Sequence, residues 1–554
     1  MAFRADHGVN RAIFLRGRRA VSGHVIVIGA GLAGMTAALT AHGEGADVVL
    51  IARGDIGLGT NSAMANGVFA GPGASYTEEE YVRDTLEIGK RLNYEPYVRL
   101  VAREAAGAWD FLCALGLNLV ETSPGTCVIR TPEADVVRGA VIVRTLAATI
   151  RRLEKVRVVT GFQVTEVVRH GKSVCGVRGW DRVGQPGAIR GSSVILATGG
   201  AGAIYLRNDN QRSALGQGYL LAAKAGLELW DMEFVQFYPF VIAEPHLPSV
   251  MLYPPYPREV RLVNSSGIDL AAKYGLDDLP AAIRSRRDEL SAMIFSEGLA
   301  GPVRIDLTGV PAASWGHYPL KLLSKIRFDF RRQPVTISPG AHFFMGGVRI
   351  HENCETAAAR IFACGEVVWG LHGANRRGGN ALTECVVTGR IAGSEAARQA
   401  SREEMGSLEP GLPHRPWPAL PTPATEELRS LRILIRELAW NCAGVVRSEE
   451  GLARGLKSLP ELEGRLHGIH PETSAEMRLK EDLTSALFVL KAVLAASVPR
   501  RESRGSFQRE DAPREDNVNW RKNSRLTYDP ASGQVAASYH APDGREGGGW
   551  RWDW

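Results

Sequence analysis

The hydrophobic pattern near the start of the chain predicts a βαβ unit. Residues 24–28 form a short, β-branched apolar run that is typical of a buried parallel strand. A glycine-rich turn follows at 29–34, a helical pattern extends to about Gly45, and 48–51 is a second apolar run. This order indicates a nucleotide-binding fold.

Further strands are predicted downstream, with an interruption. The runs 156–160, 163–169 and 173–180 are separated by glycine turns, and we expect an antiparallel meander from them. Buried strands are predicted again at 193–197 and 361–364. The pattern between about 240 and 338 is irregular, which indicates an inserted second domain.

The last third of the chain changes character. Residues 403–424 contain six prolines and predict a stiff linker. Leucines recur at helical spacing from Thr425 to about Ser497, which predicts a helical bundle. Residues 505–554 are polar and irregular, and they include Trp550, Trp552 and Trp554.

Composition supports a globular protein of several domains. A chain of 554 residues is too long for one core, and its apolar share of 45% with 23% charged residues is that of a folded protein. The net charge of +6 comes from basic residues spread along the chain, so nucleic-acid binding is not expected. A basic cleft that attracts anionic substrates is compatible with it.

The seven cysteines contain no C-x-x-C pair. This spacing argues against a zinc site or an iron–sulfur cluster held by this chain alone, so no metal is expected, and a scattered odd set fits a reduced, cytoplasmic compartment. Arg18-Arg19 before an apolar stretch could be mistaken for a twin-arginine export signal. The stretch is better explained as the first strand and helix, because no small-residue cleavage site separates it from them. No stretch is apolar enough to span a membrane.

The sequence Gly29-x-Gly31-x-x-Gly34 follows a strand and opens a helix, which is the context of the dinucleotide fingerprint. The glycines permit a tight turn, the approach of a pyrophosphate to the backbone, and close packing of helix on strand. The acidic residue expected after the second strand is absent, and Ala52-Arg53 stand there. The alternative is a glycine-rich turn that binds nothing.

Two more glycine clusters favour FAD over NAD. Thr198-Gly199-Gly200 closes a later strand, and 372–382 is a glycine-rich stretch that opens another helix. Backbone donors there can stabilise negative charge on a flavin ring, and Glu366 can accept from a ribityl or ribose hydroxyl.

The segments 25–73, 194–240, 341–394, 440–455 and 500–520 resemble the flavoprotein subunit family of succinate dehydrogenase and fumarate reductase, to which L-aspartate oxidase and the adenylylsulfate reductase flavoprotein also belong. The resemblance is carried by the residues at 232–237, 342–347, 374–382, 443–452 and 501–505. It implies an α/β protein with a two-dinucleotide-binding-type FAD domain, an inserted cap domain, a helical bundle domain and an irregular C-terminal tail. The expected boundaries are 22–239 and 341–402 for the FAD domain, 240–340 for the cap, 403–424 for the linker, 425–500 for the helical domain and 501–554 for the C-terminal segment.

The resemblance places the family's catalytic arginine on Arg287 and its substrate-carboxylate ligands on His342 and Arg376. Guanidinium and imidazole groups can together hold a carboxylate. Alternatively, Arg287 is an exposed member of a basic run, and His342 is a satisfied core histidine. A second substrate histidine of the family falls on Tyr238.

The resemblance also implies a set of cofactor-binding positions. They are Gly29, Gly31, Gly34, Arg53, Asn61, Ser62, Asn66, Gly67, Thr198, Gly199, Gly200, Gln217, Glu366, Asn380, Ala381 and Leu382. The family histidine that holds FAD covalently falls on Asn61, whose amide cannot form that bond, so we expect noncovalent FAD. Gln217 stands where the family has an aspartate.

The substrate-recognition half departs from the family. Its polar, glycine-rich proton-relay stretch is replaced by 253–259, in which Tyr253 to Pro257 is aromatic and proline-rich and Arg258 or Glu259 could restore a relay. One carboxylate-binding half therefore survives, and losing the other leaves a dicarboxylate with unpaired polar groups. Aromatic walls suit an apolar or ring-bearing substrate.

The leading interpretation is an FAD-dependent oxidoreductase that acts on a CH–CH or C=C bond beside a carboxylate or carbonyl, on an acid or acyl substrate that is not a simple C4 dicarboxylate. We expect it to exchange electrons with an iron–sulfur partner protein and to meet a membrane only through its partners. Two alternatives stay open: an amino-acid oxidase like L-aspartate oxidase, and a flavin electron-transfer subunit of a larger redox complex.

Overall fold

A computed structural model describes residues 21–22, 24–131, 134–171, 173–253, 256–276, 278–400 and 423–542. Three features of the sequence lie outside these residues: the Arg18-Arg19 pair, most of the predicted proline-rich linker, and the three terminal tryptophans.

The helices are α1 (Leu32–Gly43), α2 (Asn61–Met64), α3 (Glu78–Ile88), α4 (Glu95–Ala114), α5 (Arg138–Ile150), α6 (Gln217–Lys224), α7 (Leu270–Tyr274), α8 (Leu279–Ser285), α9 (Arg287–Ala300), α10 (Leu320–Leu323), α11 (Asn380–Ala400), α12 (Pro423–Ala443), α13 (Glu449–Gly468) and α14 (Ser474–Ser497). The strands are β1 (Val21–Ser22), β2 (Val25–Ile28), β3 (Val48–Ala52), β4 (Val68–Ala70), β5 (Leu119–Ser123), β6 (Thr126–Ile129), β7 (Val156–Thr160), β8 (Gln163–His170), β9 (Ser173–Trp180), β10 (Pro186–Arg190), β11 (Ser193–Leu196), β12 (Leu229–Trp230), β13 (Val235–Ile242), β14 (Arg261–Val263), β15 (Val303–Asp306), β16 (Val335–Phe344), β17 (Gly347–Val348), β18 (Ile361–Ala363), β19 (Val446–Arg447), β20 (Gln508–Arg509), β21 (Asn523–Asp529) and β22 (Gln534–His540).

A five-stranded parallel sheet with the order β18-β11-β2-β3-β7 carries the nucleotide-binding motifs. Its strands are continuous apolar runs because they lie in the interior, and every residue of β2, β3 and β11 is buried. The carboxyl ends of β2, β11 and β18 are neighbours. Three glycine clusters that lie far apart in the sequence therefore meet at one edge of the sheet.

The expected antiparallel meander was wrong in its first strand. β7 pairs in parallel with β3 as the fifth strand of the main sheet, whereas β8, β9 and β10 form the antiparallel meander. A short β-branched run has the same appearance in both settings, and only the crossover through α5 distinguishes them.

The stretch that looks irregular in the sequence builds a second core. The four-stranded sheet β13-β16-β15-β14 and the helices α7–α9 pack around a cluster of buried apolar side chains drawn from Tyr238 to Ile337. Short helices and strands with little periodicity explain why the pattern hides these elements. The domain boundaries given above stay a prediction.

The predicted helical region contains the three long helices α12, α13 and α14, which confirms the periodicity. The C-terminal segment is more regular than expected, because β21 and β22 form a hairpin that joins β12 and β17. Among the helices of the described ranges, none combines the length and the hydropathy that crossing a bilayer requires.

Candidate active site

The glycines of the first motif are fixed by close backbone contacts. Gly29 has a φ of +111°, and a Cβ there would lie 2.2 Å from the carbonyl oxygen of Ala197. A Cβ on Gly34 would lie 1.9 Å from the carbonyl oxygen of Gly29. Only glycine fits either position, so the first turn of α1 is held directly against the end of β11.

The N-terminus of α1 faces a cavity of about 200 Å³. Gly31, the residue before the helix, makes no side-chain cap, so backbone donors are left for a ligand, although the Ser62 hydroxyl accepts from the Leu32 amide at 3.1 Å. The Thr198 hydroxyl in the cavity wall is buried without a hydrogen-bond partner. Arg53 and Gln217, also in the wall, both donate to Asp482 at 2.8 Å.

A second cavity of about 520 Å³ adjoins the first and shares Asn61, Ser62, Glu366 and Cys385 with it. An extended ligand with a phosphate-bearing end and a ring end therefore fits the pair. The donors at α1 and the unpartnered Thr198 hydroxyl match an adenine dinucleotide, and the walls shared with the larger cavity match a flavin ring.

The predicted cofactor residues fall into three groups. Gly29, Gly31, Arg53, Thr198, Gly199, Gly200 and Gln217 line the smaller cavity, Asn66, Ala381 and Leu382 line the larger, and Asn61, Ser62 and Glu366 line both. Gly34, Gly67 and Asn380 line neither. Gly34 and Gly67 shape the backbone, and the Asn380 side-chain carbonyl accepts from the Tyr81 hydroxyl at 3.0 Å behind the start of α11.

Asn61 is held by the segment that follows β11. Its side chain donates to the Asn210 side-chain oxygen at 2.6 Å and accepts from the Gln211 amide at 2.9 Å. Asn210 in turn donates to the Ala341 carbonyl at 2.8 Å. The amide of Asn61 thus has a structural role in the wall shared by both cavities.

All four predicted catalytic residues, Arg287, His342, Arg376 and Tyr238, line the larger cavity. Arg287 donates to the Arg376 carbonyl at 2.6 Å and to the Asn375 side chain at 3.0 Å. Arg287 is therefore not merely an exposed member of a basic run.

Arg376 is buried and has no carboxylate partner within hydrogen-bond distance among the described residues. Its guanidinium donates twice to the Gln236 side-chain oxygen, at 2.9 and 3.2 Å, and stacks 4.7 Å from the Phe343 ring centre. Burial, reinforced by the nearby charge of Arg287, lowers the pKa of Arg376 to about 10. Two guanidinium groups that repel each other beside a cavity form a strong site for an anion.

His342 has a partner that the sequence did not reveal. Its Nδ1 lies 2.8 Å from a carboxylate oxygen of Asp209, which also lines the cavity. A short parallel bridge between Asn208 and Ala341 fixes this pair, with the Ala341 amide donating to the Arg207 carbonyl at 2.9 Å. Nothing in the polar turn 208–210 distinguishes Asp209 in the sequence, because its pairing depends on a contact 133 residues away.

Tyrosines and aliphatic side chains form a large part of the rest of the larger cavity, which Lys325 also lines. Tyr238, Tyr253 and Tyr256 line it together with Met251 and Leu252. Burial raises the pKa of all three tyrosines, so they stay neutral at physiological pH. Pro254 and Pro255 lie outside the described residues.

Arg258 and Glu259, considered as replacements for a proton relay, are exposed and line neither cavity. Both side chains lie in solvent and outside the cavity lining, so the relay suggested for them was wrong.

Glu366 closes the site where the cavities join. Its side chain accepts from the Phe344 amide at 3.2 Å, and a Cβ on Gly200 would overlap its carboxyl group. Burial raises the pKa of Glu366 to about 7. The group can therefore be a donor or an acceptor near neutral pH.

The C-terminal segment holds the loop that carries Arg376. A Cβ on Gly505 would lie 2.3 Å from the Ala374 carbonyl, which accepts from the Ser506 amide at 2.9 Å. Behind it, the buried Arg500 bonds to Glu233 at 2.9 Å and to Glu502 at 2.8 Å. The segment after the helices is therefore part of the site's support.

Comparison with known proteins agrees with this geometry. Residues 24–382 match the FAD binding domain family and residues 432–545 match the fumarate reductase flavoprotein C-terminal family. Over 92% of both chains, the sequence is 29% identical to L-aspartate oxidase of Streptomyces coelicolor. It is 30% identical to a subunit of the CoM/CoB fumarate reductase of Methanothermobacter marburgensis, over 91% of this chain and 96% of that one.

Solved structures have the same fold. Quinol fumarate reductase of E. coli superposes with a TM-score of 0.80 at 24% identity, covering 94% of this chain and 97% of that chain. Sdh1 of Mycobacterium smegmatis superposes with a TM-score of 0.78 at 25% identity, covering 94% of both chains.

Proposed function

The chain belongs to the family of FAD-binding fumarate reductase flavoproteins and is an FAD-dependent oxidoreductase, and from this premise we propose that it adds or removes hydrogen across a carbon–carbon bond beside a carboxylate or acyl carbonyl. The proposed substrate is larger and less charged than a C4 dicarboxylate. Bound FAD supplies the hydride chemistry, and the residues of this chain bind the substrate and move the proton.

The observation that carries the proposal is the division of the larger cavity. Arg287, Arg376 and His342 supply cationic and hydrogen-bonding groups for one carboxylate or carbonyl. Tyr238, Tyr253 and the aliphatic residues supply neutral walls for the remainder of the molecule. A second carboxylate against these neutral walls would lose its solvation without a free charged partner, since Lys325, which also lines the cavity, is paired with Asp135 at 3.5 Å.

Each residue has a proposed role. Arg376 holds the substrate anion, since it is buried and its charge is not neutralised by a direct carboxylate partner among the described residues. His342 holds a second oxygen from the side of Asp209. Arg287 moves the proton, because its guanidinium is anchored to the carbonyl of Arg376 and is thus fixed beside the bound anion.

A second candidate function is an amino-acid oxidase. The relatives named L-aspartate oxidase favour it, and so does Asp209, whose carboxylate in the cavity wall could face a substrate ammonium group. The hydrogen bond between Asp209 and His342 favours the first candidate, because it engages the carboxylate that a substrate ammonium group would need.

We also propose that electrons pass to or from an iron–sulfur partner protein. One relative is itself named as a subunit of a fumarate reductase, and among the described residues there is no cluster of three or more metal-binding side chains. On this proposal the protein works in the cytoplasm and meets a membrane only through its partners.

The deciding experiment is anaerobic photometry of the bound flavin with a panel of enoates, saturated acids, acyl thioesters, dicarboxylates and amino acids. The proposal expects bleaching by a saturated acid or thioester with an apolar body, or reoxidation of the reduced flavin by its unsaturated counterpart. Bleaching by amino acids alone, with peroxide formed on admitting air, would establish the oxidase instead.

A further inference from the structure

The outer side of the segment that walls both cavities carries a cluster of arginines. Arg207 and Arg212 are exposed on this segment, and Arg432 and Arg436 reach it from α12. Arg436 donates to the carbonyls of Tyr205 and Leu206, each at 3.1 Å, and Arg432 donates to the carbonyl of Arg212 at 3.5 Å. We call Arg207, Arg212, Arg432 and Arg436 the arginine patch.

The positive charge of the arginine patch is not compensated. Within the described part of the chain, none of its four members forms an ion pair, whereas Arg429 on the same helix pairs with Glu426 at 2.7 Å. Burial lowers the pKa of Arg436, and the charges of Arg432, Arg212 and Arg207 lower it further. One Arg432 nitrogen is buried without a hydrogen-bond partner. Four like charges held together in this way form a positive surface that favours an anionic partner.

Apolar side chains lie within the arginine patch. Ile433 is exposed between Arg432 and Arg436 on α12, and Leu206 is exposed beside Arg207. A small inorganic anion would leave these side chains in water, whereas a protein surface would cover them. Arginine is enriched at protein interfaces, and a bound protein would cover these two side chains.

The position relative to the cofactor site indicates what such a partner would do. Asp209 and Asn210 on the same segment line the larger cavity, and Gln211, Ser213 and Ala214 line the smaller. A single layer of backbone therefore separates the arginine patch from the cavities, next to Asn61, where they join. A redox protein bound here would lie against the segment that walls both cavities.

We propose that the arginine patch is the docking surface for an acidic electron-carrier protein. The inference rests on the proposed function, because it takes the chain to exchange electrons with a partner. The inference adds to the proposed function the place where the partner docks. The contacting face of the partner is rich in Asp and Glu and has an apolar centre.

The test is the binding of an acidic [2Fe–2S] ferredoxin, as probe, to the FAD-loaded full chain, measured by titration calorimetry at two ionic strengths. We expect the dissociation constant to rise at least about 10-fold from low to physiological salt. Arg207→Gln with Arg212→Gln should weaken low-salt binding by about 10-fold, and Arg207→Lys with Arg212→Lys should retain most of it. This pair leaves the α12 hydrogen bonds in place, so folding is preserved.

The charge-matched control is Arg144→Gln with Arg157→Gln, both exposed, on α5 and on the edge strand β7. Equal loss of binding in this control, or unchanged binding in the Arg207 and Arg212 glutamine pair, would overturn the proposal. Dye-mediated turnover of the same variants is measured separately. Absence of turnover with every substrate would defeat the proposed function and leave the binding result to be judged by itself.

Discussion

The Nδ1 atom of His342 lies 2.8 Å from Oδ2 of Asp209, and both side chains line the larger cavity. Because Nδ1 is engaged by the carboxylate, Nε2 is the ring nitrogen that remains to bind a substrate oxygen. Asp209 therefore orients the imidazole in the cavity wall.

Asp209→Asn keeps the size of the side chain but removes its charge. We expect KM for the accepted acid to rise about 10-fold or more, with a smaller change in kcat, because the charged partner that orients His342 toward the substrate is lost. Steady-state kinetics with a dye acceptor measure both constants, and the flavin spectrum of the purified variant controls for cofactor loss. An unchanged KM would show that Asp209 only fixes the loop and does not contribute to substrate binding.

Bound FAD should be noncovalent. Asn61 has no nucleophile for a bond to the flavin, and both ends of its side chain are engaged by Asn210 and Gln211. Acid precipitation of the protein should leave the yellow cofactor in the supernatant. A pellet that keeps its flavin through washing would mean that another side chain forms the bond.

Arg287→Ala should lower turnover by at least about 100-fold, because it removes the group that transfers the proton. FAD should stay bound, because the substitution removes no predicted cofactor contact. Arg286→Ala is the matched control, since Arg286 is exposed and pairs with Glu289 at 2.7 Å. Turnover with a dye mediator and the flavin content of both variants are compared. If both lose turnover equally, the effect belongs to the start of α9 and not to the Arg287 guanidinium.

Glu366 should make the stability of the cofactor-free protein depend on pH. Its pKa rises from 4.5 to about 7 on burial, so the folded state keeps a proton that the unfolded state loses between these values. The resulting contribution to the free energy of unfolding is fully present below about pH 4.5 and is lost as the pH rises toward 7. Its size is about 1.4 kcal/mol for each unit of pKa difference.

Glu366→Gln should therefore flatten the decline of the melting temperature across this range. Scanning calorimetry or far-UV circular dichroism at several pH values compares the two proteins, each stripped of FAD. An equally steep decline in the variant would assign the pH dependence to other groups.

The sequence predicted the parallel sheet and its glycine clusters because local signals and tertiary context agree there. Gly29 and Gly34 are required by contacts that the motif itself implies, and a buried strand such as β2 is recognisable from its composition. The assignment of β7 to a meander failed because strand partners are chosen by long-range packing. The second core between Tyr238 and Ile337 has short elements with weak periodicity, so only its existence was predictable.

The candidate site likewise contains residues that the sequence identified and residues that only the folded chain reveals. Arg287, His342, Arg376 and Tyr238 came from resemblance, and the structure brings them together. Asp209 and the arginine patch arise from contacts between segments far apart in the chain, and no local pattern identifies them. Departures such as Asn61 and Tyr238 were visible in the sequence, but their surroundings in the folded chain were not.

Succinate and fumarate should be poor substrates. Arg376 and His342 can hold one carboxylate, whereas the walls formed by Tyr238, Tyr253 and Tyr256 are neutral. Lys325 also lines the cavity, but it is paired with Asp135 at 3.5 Å. A tyrosine hydroxyl can donate one hydrogen bond to a second carboxylate but cannot compensate its charge. We expect turnover of C4 dicarboxylates at least about 100-fold below that of an enoate or saturated acid with an apolar body, measured as kcat/KM with a dye mediator.

Tyr238→His tests this reason directly. A histidine at this position restores a group that can be positively charged in the otherwise neutral wall, so the variant should gain activity on fumarate while losing it on the apolar acid. Tyr253→Phe is the control, because it removes a hydroxyl from the same wall without adding charge. Should the wild-type protein reduce fumarate as fast as it reduces every larger acid in the panel, the neutral walls would not select the substrate, and a charged partner for the second carboxylate would have to be supplied by a movement of the cap residues.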